Sequence, residues 1–149
     1  MAAIEVFIEN PAGSWVKHHH NEETLEFLRV EPVRRPYPFP YGFVPGTRAP
    51  DGDCADCFVI TGRPLARADT VEVEPIALME WTEAGAGDHK VIAVLPGDPI
   101  PDLGQLQPTL IDFAKQVFAH LPGREVRAGR FLPAEDALAY LAACSPPVP

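Results

Sequence analysis

Residues 37–57 have the sequence YPFPYGFVPGTRAPDGDCADC, a loop rich in proline and aromatic residues that leads into three aspartates. These aspartates, Asp51, Asp53 and Asp56, precede the apolar run Phe58-Val59-Ile60. Because alternate residues of an extended chain face the same side, we expect Asp51 and Asp53 to point together. Carboxylates that converge repel one another and favour a proton or a bound cation. A hard divalent cation with oxygen ligands, with magnesium as the default, is therefore one interpretation of this segment.

The same segment has a second interpretation, as a turn exposed to solvent. Asp-Gly-Asp is common in turns, because aspartate tolerates left-handed backbone geometry and hydrogen-bonds its own backbone. The segment is not an EF-hand loop, since it lacks the aspartate at the fifth position, the glycine at the sixth and the glutamate at the twelfth. Taken alone, it leaves both the metal site and the solvated turn open.

Composition limits the class of protein. The chain has 149 residues, 46% of them hydrophobic, and we expect one domain over residues 1–149 with a substantial core. No apolar run approaches the roughly 20 residues that span a bilayer, and the first ten residues, MAAIEVFIEN, indicate a strand and not a signal peptide. The net charge of −9 disfavours nucleic acid and anionic membrane surfaces as partners. Three cysteines fit a reduced, cytoplasmic protein.

Hydrophobic periodicity predicts five strands followed by two helices. Alternation of apolar and polar residues is typical of half-buried strands, and Pro75 suggests a bend in the fourth. Apolar residues at helical spacing, with Pro108 and Pro133 near the starts, mark the helices. The expected strands are 4–9, 24–30, 57–61, 70–81 and 90–95, and the expected helices are 108–121 and 133–144. This order predicts an α+β fold, a small five-stranded OB-like β-barrel with two C-terminal helices packed outside.

Three segments together carry a resemblance to a known family. They are IENPAGS at 8–14 followed by Lys17, the YPFPYGFVPGT and DGDCAD blocks within 37–57, and TEAGAGDHK at 82–90. In order and spacing they resemble the soluble inorganic pyrophosphatases of the Mg²⁺-dependent, barrel-type family over residues 4–96. The resemblance implies hydrolysis of pyrophosphate to two phosphates with Mg²⁺ as cofactor. It also implies a homo-oligomer, as family members often are.

The resemblance also implies a role for each matching residue. Asp53 would be the general base for the attacking water. The residues expected to hold metal, directly or through water, are Asp51, Asp56, Asp88, Glu83 and Glu9. The residues expected to bind the phosphates are Lys17, Arg29, Tyr41 and Lys90. Three of these have simpler interpretations on sequence alone: Glu9 as a solvent-facing carboxylate, Tyr41 as a core residue, and Arg29 as a surface ion-pair partner of Glu31 or Glu26.

The mixture of residues suits the chemistry. Pyrophosphate carries several negative charges and repels a nucleophile, so its hydrolysis needs an activated water and a stabilised leaving phosphate. A carboxylate can take the proton of that water. Lysine and arginine offset charge on the departing phosphate. Carboxylates alone would bind metal without reacting, and cationic side chains alone would bind phosphate without activating water.

The chain departs from the family pattern at three places. His19 stands where the family has glutamate in a Lys-Tyr-Glu segment, and Glu83 replaces an aspartate. Val117 and Phe118 align with a Tyr-Lys pair that holds phosphate in the family. Either one of Arg124, Arg127 and Arg130 replaces that pair, or phosphate binding is weaker. These departures leave two alternatives open, a degenerate metal- or phosphate-binding protein with little catalysis and a hydrolase of a different diphosphate.

His18, His19 and His20, together with Cys54 and Cys57, raise the question of zinc or redox chemistry. A single Cys-x-x-Cys without a second pair is a weak zinc signal, and a redox motif requires a helix N-terminus in a βαβ unit. We therefore expect the three histidines to be exposed polar residues.

Overall fold

The computed structural model describes residues 3–145, and within them the chain forms nine strands and two helices. The elements are β1 (Ile4–Asn10), β2 (Val16–His20), β3 (Phe27–Pro32), β4 (Tyr41–Phe43), β5 (Asp56–Val59), β6 (Thr70–Glu83), β7 (Ala86–Gly87), β8 (Lys90–Val94), α1 (Leu103–Gln116), β9 (Val126–Pro133) and α2 (Ala134–Cys144). No helix in this part of the chain is both long enough and apolar enough to cross a membrane.

Five of the strands pair in a closed circuit. β1 pairs with β4, β4 with β5, β5 with β8, β8 with β6, and β6 returns to β1. All of these pairings are antiparallel except β5 with β8, which is parallel. β7 and β9 extend the sheet from β6. The expected α+β fold with five strands in a closed sheet and two later helices is thus confirmed.

Two apolar clusters hold the helices against the sheet. Along β5, Cys57 and Val59 belong to the cluster that contains Leu141 of α2. The intervening Phe58 belongs to the other cluster, which contains Phe113 of α1. Because alternate residues of a strand face opposite sides, one strand supplies both clusters. The sheet is covered by α2 on one side and by α1 on the other.

The sequence predicted five of the nine strands and missed β2, β4, β7 and β9, and the second predicted strand is displaced. The strand expected at 24–30 is β3, two to three residues later, and it pairs with β2 in a separate hairpin outside the circuit. The circuit is closed by β4, which has only three residues and shows no measurable periodicity. The bend expected at Pro75 is confirmed by a register shift between Pro75 and Ala77 in the β6–β8 pairing.

The first helix starts and ends five residues earlier than the expected 108–121. Asp102 is its N-cap, and the Asp102 Oδ1 accepts a hydrogen bond of 2.8 Å from the Gly104 amide. Pro108 therefore lies inside α1 and not in its first turn. The expected second helix, 133–144, is confirmed as α2, which begins after Pro133.

Gly42 allows β1 and β4 to approach unusually closely. A Cβ atom at this position would lie 1.8 Å from the Phe7 carbonyl oxygen and 2.7 Å from its carbonyl carbon. No side chain fits at that distance, so the pairing of β1 with β4 requires glycine. The same pairing sets Asn10 opposite Tyr41.

Candidate active site

A broad open cavity of about 1140 Å³ lies where the β2–β3 hairpin, the 46–56 segment and the end of β6 meet. Eight of the ten expected site residues line it, namely Glu9, Lys17, Arg29, Asp51, Asp53, Asp56, Glu83 and Asp88. The other two, Tyr41 and Lys90, line a small adjoining cavity that shares Lys17, Glu83 and Asp88 with the first. The structure therefore brings all ten residues to one region.

Lys90 lies at the floor of this region, between two aspartates. Its Nζ donates to Asp56 Oδ2 at 2.8 Å and to Asp88 Oδ2 at 2.7 Å, and the residue is only 3% exposed. The ammonium also lies 4.8 Å from the centre of the Trp81 ring and 5.4 Å from that of Tyr41. Tyr41 is buried, as its simpler interpretation expected, yet its ring contacts a site residue.

The pKa values of these groups follow from burial and mutual attraction. Burial alone would lower the pKa of Lys90, but Asp56 and Asp88 raise it above its ordinary value. Burial would raise the pKa of Asp56, but Lys90 and Lys17 lower it more. Burial raises the pKa of Asp88 to about 7, and the neighbouring Asp56 contributes in the same direction. Lys90 and Asp56 therefore form the charged pair, and Asp88 is the weaker acid.

The aspartate segment is a turn that opens onto the cavity. Asp51 Oδ1 accepts a hydrogen bond of 3.1 Å from the Asp53 amide, and Gly52 has a φ of +92°. The expectation that Asp51 and Asp53 point together because the chain is extended is wrong, since the strand begins only at Asp56. The solvated-turn interpretation gives the correct local geometry. Both carboxylates still line the cavity, and burial, followed by repulsion from Asp51 and Asp56, raises the pKa of Asp53.

Glu9 is a buried carboxylate of the site and not the solvent-facing residue of its simpler interpretation. It is 7% exposed, and burial raises its pKa to about 8 although Lys17 opposes the shift. Its Oε2 accepts a hydrogen bond of 3.2 Å from the backbone amide of His20. The ring Nδ1 of His20 lies at the same distance from that oxygen. His20 therefore contacts Glu9 twice.

Arg124 is the arginine that reaches the cavity near the altered helix positions. Its Nη1 lies 2.5 Å from Glu31 Oε2, and its Nε lies 3.2 Å from Glu83 Oε2. The guanidinium is 3.8 Å from the centre of the Phe118 ring, and the Lys17 Nζ is 5.7 Å from the same centre. Arg124 and Lys17 thus both lie close to the Phe118 ring.

The remaining arginines are placed differently. Arg127 pairs with Glu125 and Arg130 with Glu80, both with side chains 76% exposed. Arg29 lines the cavity, and within residues 3–145 it forms no ion pair with Glu31 or Glu26. The surface-pair interpretation of Arg29 is therefore wrong.

Sequence reasoning missed two residues of the site, Glu22 and Glu31. The carboxylate of Glu22 accepts a hydrogen bond of 2.9 Å from the Cys54 amide, which ties the β2–β3 hairpin to the aspartate turn. Glu31 contacts both His19 and Arg124. The alternation of β3 could have indicated Glu31, because residues 29 and 31 share a face of the strand. Glu22 lies in a loop, where no periodicity exists.

The expectation that the three histidines are exposed polar residues is wrong. His18 and His19 are half-buried, but His20 is only 5% exposed, because its ring packs against Phe7. The three cysteines are free and buried, and burial raises the pKa of Cys54 to about 11, which disfavours a reactive thiolate. Across residues 3–145, no three histidine, cysteine or acidic side chains stand together as a preformed metal-ligand set.

Comparisons of the sequence and of the structure with known proteins agree with one another. The family model described as inorganic pyrophosphatase matches residues 6–145. The inorganic pyrophosphatase of Aeropyrum pernix is 35% identical over 149 residues, covering 90% of this chain and 83% of that protein. That of Nanoarchaeum equitans is 33% identical, covering 90% of each. The solved inorganic pyrophosphatase of Thermus thermophilus superposes with a TM-score of 0.85 at 30% identity, covering 95% of this chain and 88% of that one. The chain therefore belongs to the inorganic pyrophosphatase family.

Proposed function

We propose that this protein hydrolyses inorganic pyrophosphate to two phosphates in an Mg²⁺-dependent reaction. The observation that carries the proposal is that the acidic and cationic residues expected of such an enzyme line one cavity and the small cavity adjoining it. In the reaction, a water oxygen bonds to one phosphorus atom as the bridging P–O bond breaks, and the second phosphate leaves with the bridging oxygen.

The residues present fit a divalent cation. Asp51, Asp56 and Asp88 offer hard carboxylate oxygens at the cavity, with Glu83 and Glu9 at its margin. Burial and mutual repulsion raise the pKa of Asp88 and of Glu9, so a cation that approached these oxygens would relieve an existing cost. When bound, Mg²⁺ lowers the pKa of a coordinated water towards neutrality and offsets charge on phosphate oxygens.

The side chains of the cavity supply the remaining functions. Asp53, whose pKa is raised by burial and by repulsion from Asp51 and Asp56, takes the proton of the attacking water. Lys17 and Arg29 bind phosphate oxygens by charge-assisted hydrogen bonds. Lys90, beneath them, orients Asp56 and Asp88. Lys90 and Tyr41, whose ring lies against the Lys90 ammonium, bind phosphate from the floor.

Arg124 takes over the phosphate-binding role of the family's Tyr-Lys pair. It lines the cavity, whereas Arg127 and Arg130 point to exposed partners. Its guanidinium carbon lies 3.8 Å from the centre of the Phe118 ring, and this contact orders the side chain. A guanidinium can bind phosphate with two parallel hydrogen bonds, which a lysine cannot do.

The degenerate binding protein and the hydrolase of another diphosphate are not favoured, because metal-type ligands, a base and phosphate-binding cations are all retained. A phosphate-release assay on the purified protein tests the proposal. We expect release from pyrophosphate with Mg²⁺, loss of release in EDTA, and much slower release from a nucleoside diphosphate. Release near background with Mg²⁺, or a preference for the nucleoside diphosphate, would overturn it.

We also propose a cytoplasmic homo-oligomer. The three unpaired cysteines support a reducing compartment. Large apolar side chains of the β2–β3 region are exposed, among them Trp15 at 60%, Leu28 at 55% and Val30 at 49%, and such patches are often covered by a partner. Light scattering coupled to gel filtration should give a mass that is a multiple of 16.2 kDa. A mass of one chain at micromolar concentration would contradict it.

A further inference from the structure

His20 connects the carboxylate of Glu9 to an arginine from a different loop. Its ring Nδ1 lies 3.2 Å from Glu9 Oε2, and its Nε2 lies 3.1 Å from Arg67 Nη1. The ring itself is enclosed by aromatic side chains, with Phe7 at 5.0 Å and Phe27 at 5.7 Å between ring centres. Both ring nitrogens are thus satisfied inside an otherwise apolar environment.

The chemistry of Arg67 fixes the tautomer of His20. A guanidinium only donates hydrogen bonds, so the Nε2 that faces it must accept. A neutral imidazole then carries its proton on Nδ1, and Nδ1–H donates to Glu9 Oε2. A doubly protonated ring would place an N–H against the guanidinium, which burial and charge repulsion both oppose. His20 is therefore neutral and is a donor to Glu9.

Arg67 is itself held in place. Its guanidinium lies 4.9 Å from the centre of the Phe27 ring. The loop that carries it is fastened to β1 next to Glu9, because the Ala68 amide donates to the Ile8 carbonyl at 2.8 Å and the Ile8 amide donates to the Asp69 carbonyl at 2.8 Å. The loop and β1 therefore keep a fixed separation, and the Phe27 ring packs against the Arg67 guanidinium where it meets His20.

The contacts from His20 occupy only one of the two carboxylate oxygens of Glu9. Oε2 receives both the backbone amide and the ring N–H of His20. Among the residues that the structure describes, Oε1 accepts no hydrogen bond, and Glu9 lines the cavity. A carboxylate fixed through one oxygen presents the other in a single orientation, which is how outer contacts orient groups around a metal site.

We propose that His20 and Arg67 are positioning residues for Glu9, with Arg67 setting the tautomer of His20 and His20 setting the orientation of the Glu9 carboxylate towards cation-bound water in the cavity. This inference rests on the proposed function, since it assigns Glu9 to the metal region. It also explains why a histidine is buried at the end of β2, where the sequence suggested an exposed one.

Three substitutions at His20 separate positioning from packing. His20→Asn places an amide N–H near the position of Nδ1, His20→Gln places one near Nε2, and His20→Leu keeps only apolar bulk. We expect Leu and Gln to weaken Mg²⁺ binding by roughly tenfold in a calorimetric titration without substrate. Asn should recover most of the affinity. The proposal would be overturned if the three variants and the unmutated protein bound Mg²⁺ with equal affinity, or if none of them bound it measurably. It would also be overturned if all three variants lost the same amount of Mg²⁺ affinity and had lower thermal stability.

The tautomer gives a second readout that does not require turnover. In the metal-free protein, ¹⁵N imidazole spectra should show His20 as the Nδ1–H tautomer. Arg67→Met should shift the ring towards Nε2–H and weaken Mg²⁺ binding, and Arg67→Lys, which still donates, should restore both. Arg63→Met is the matched control. Arg63 lies in the same loop as Arg67, but it pairs with Asp98 and not with His20. An Nε2–H ring in the unmutated protein would overturn the inference.

The two proposals fail in distinguishable ways. If the unmutated protein binds Mg²⁺ and shows the expected tautomer but releases no phosphate from pyrophosphate, the proposed function fails and the positioning pair stands. If phosphate is released normally while His20→Leu leaves Mg²⁺ affinity unchanged, the function stands and the positioning pair fails.

Discussion

Lys90 and Asp56 stand opposite each other on the parallel strands β8 and β5, and the Lys90 Nζ donates to Asp56 Oδ2 across 2.8 Å. The parallel register, and not the loop sequence, places this ion pair. Because the same ammonium also contacts Asp88, the carboxylates proposed to bind Mg²⁺ are already compensated by a buried cation. Metal binding and the stability of the metal-free protein are therefore linked through Lys90.

Replacing Lys90 with methionine should destabilise the metal-free protein. The substitution keeps the length of the side chain but leaves the half-buried Asp56 and Asp88 without their cation, a change that costs up to about 3–5 kcal/mol in the free energy of unfolding, the range for a fully buried pair. Urea denaturation in EDTA measures the loss, and Mg²⁺ should restore part of it. Lys115→Met on the exposed side of α1 is the control and should change stability by less than about 0.5 kcal/mol. A similar, small effect for both variants would show that the Lys90 pairing does not stabilise the fold.

Asp53→Asn should abolish most turnover while leaving Mg²⁺ binding largely intact. The amide keeps the shape of the side chain but cannot take a proton, and general-base catalysis contributes about 10²–10⁴-fold. Phosphate-release kinetics and a calorimetric Mg²⁺ titration check the two parts separately. Asp112→Asn serves as the control, because Asp112 lies on α1 and forms an exposed ion pair with Arg35. Activity within a few-fold of the unmutated protein would remove Asp53 as the base.

The sequence predicted those elements that carry a clear periodicity. β1, β5, β6, β8 and α2 all lie close to their expected ranges. β4 was missed because three residues are too few to show alternation, and because Gly42 in the middle of it is a residue typical of turns. β9 was missed because its burial is irregular along the strand. Closure of the sheet depends on these short elements, which only their neighbours in space define.

The candidate site was predictable where its residues follow one another closely in the chain. Asp51, Asp53 and Asp56 fall in one segment, and the structure places them at one cavity. His20 and Arg67 are 47 residues apart, and only the folded chain shows that they meet. Polar contacts between distant loops leave no local pattern, so sequence periodicity cannot detect them.

Gly42→Ala should destabilise the fold strongly, although the substitution adds only one methyl group. The new Cβ would lie 1.8 Å from the Phe7 carbonyl oxygen, so β1 and β4 must separate. Overpacking of this kind costs typically about 1–3 kcal/mol, and the separation would also move Tyr41 at the start of β4. Thermal or urea unfolding gives the measurement. Gly62→Ala is the matched control, since a Cβ there meets no atom within 4 Å. Equal stability of the two variants would mean that the strands adjust without cost.

Stability of the metal-free protein should fall as the pH rises from 7 to 8. Burial raises the pKa of Glu9 from 4.5 to about 8, so the folded chain keeps a proton that the unfolded chain has released. Between these values, the stability contributed by that proton is lost with rising pH. Asp88, with a pKa of about 7, acts in the same direction at lower pH, and His20, whose pKa is lowered to about 4, acts in the opposite direction below 6.5.

The interval from pH 7 to 8 therefore depends mainly on Glu9, with a smaller contribution from the last part of the Asp88 titration. We expect a decline of about 1 kcal/mol in the free energy of unfolding across it, because one proton per molecule corresponds to about 1.4 kcal/mol per pH unit. Urea denaturation in EDTA at several pH values is the measurement. Glu9→Gln, which stays neutral, should flatten the profile in this interval. A decline of the same size in Glu9→Gln would assign the proton to another group.

Arg124→Met should raise the KM for pyrophosphate with little change in kcat. Arg124 is proposed to bind phosphate from the cavity wall, and a hydrogen bond to a charged group contributes about 1.5–3 kcal/mol, which corresponds to roughly 10–100-fold in affinity. The variant also breaks the ion pairs of Arg124 with Glu31 and Glu83, so its unfolding midpoint must be measured alongside the kinetics. Arg127→Met, at an exposed pair, is the control and should leave KM unchanged.

A rescue completes the test of Arg124. Introducing Tyr at 117 and Lys at 118 into Arg124→Met restores the pair that the family uses and should lower KM again, because a cation returns to the same part of the cavity. If KM is unchanged in Arg124→Met and is raised instead by Arg29→Met, the phosphate is held from the hairpin side and Arg124 serves only to bridge Glu31 and Glu83. If both arginine variants raise KM and the Tyr-Lys pair rescues only Arg124→Met, the two arginines bind different phosphate groups of the substrate.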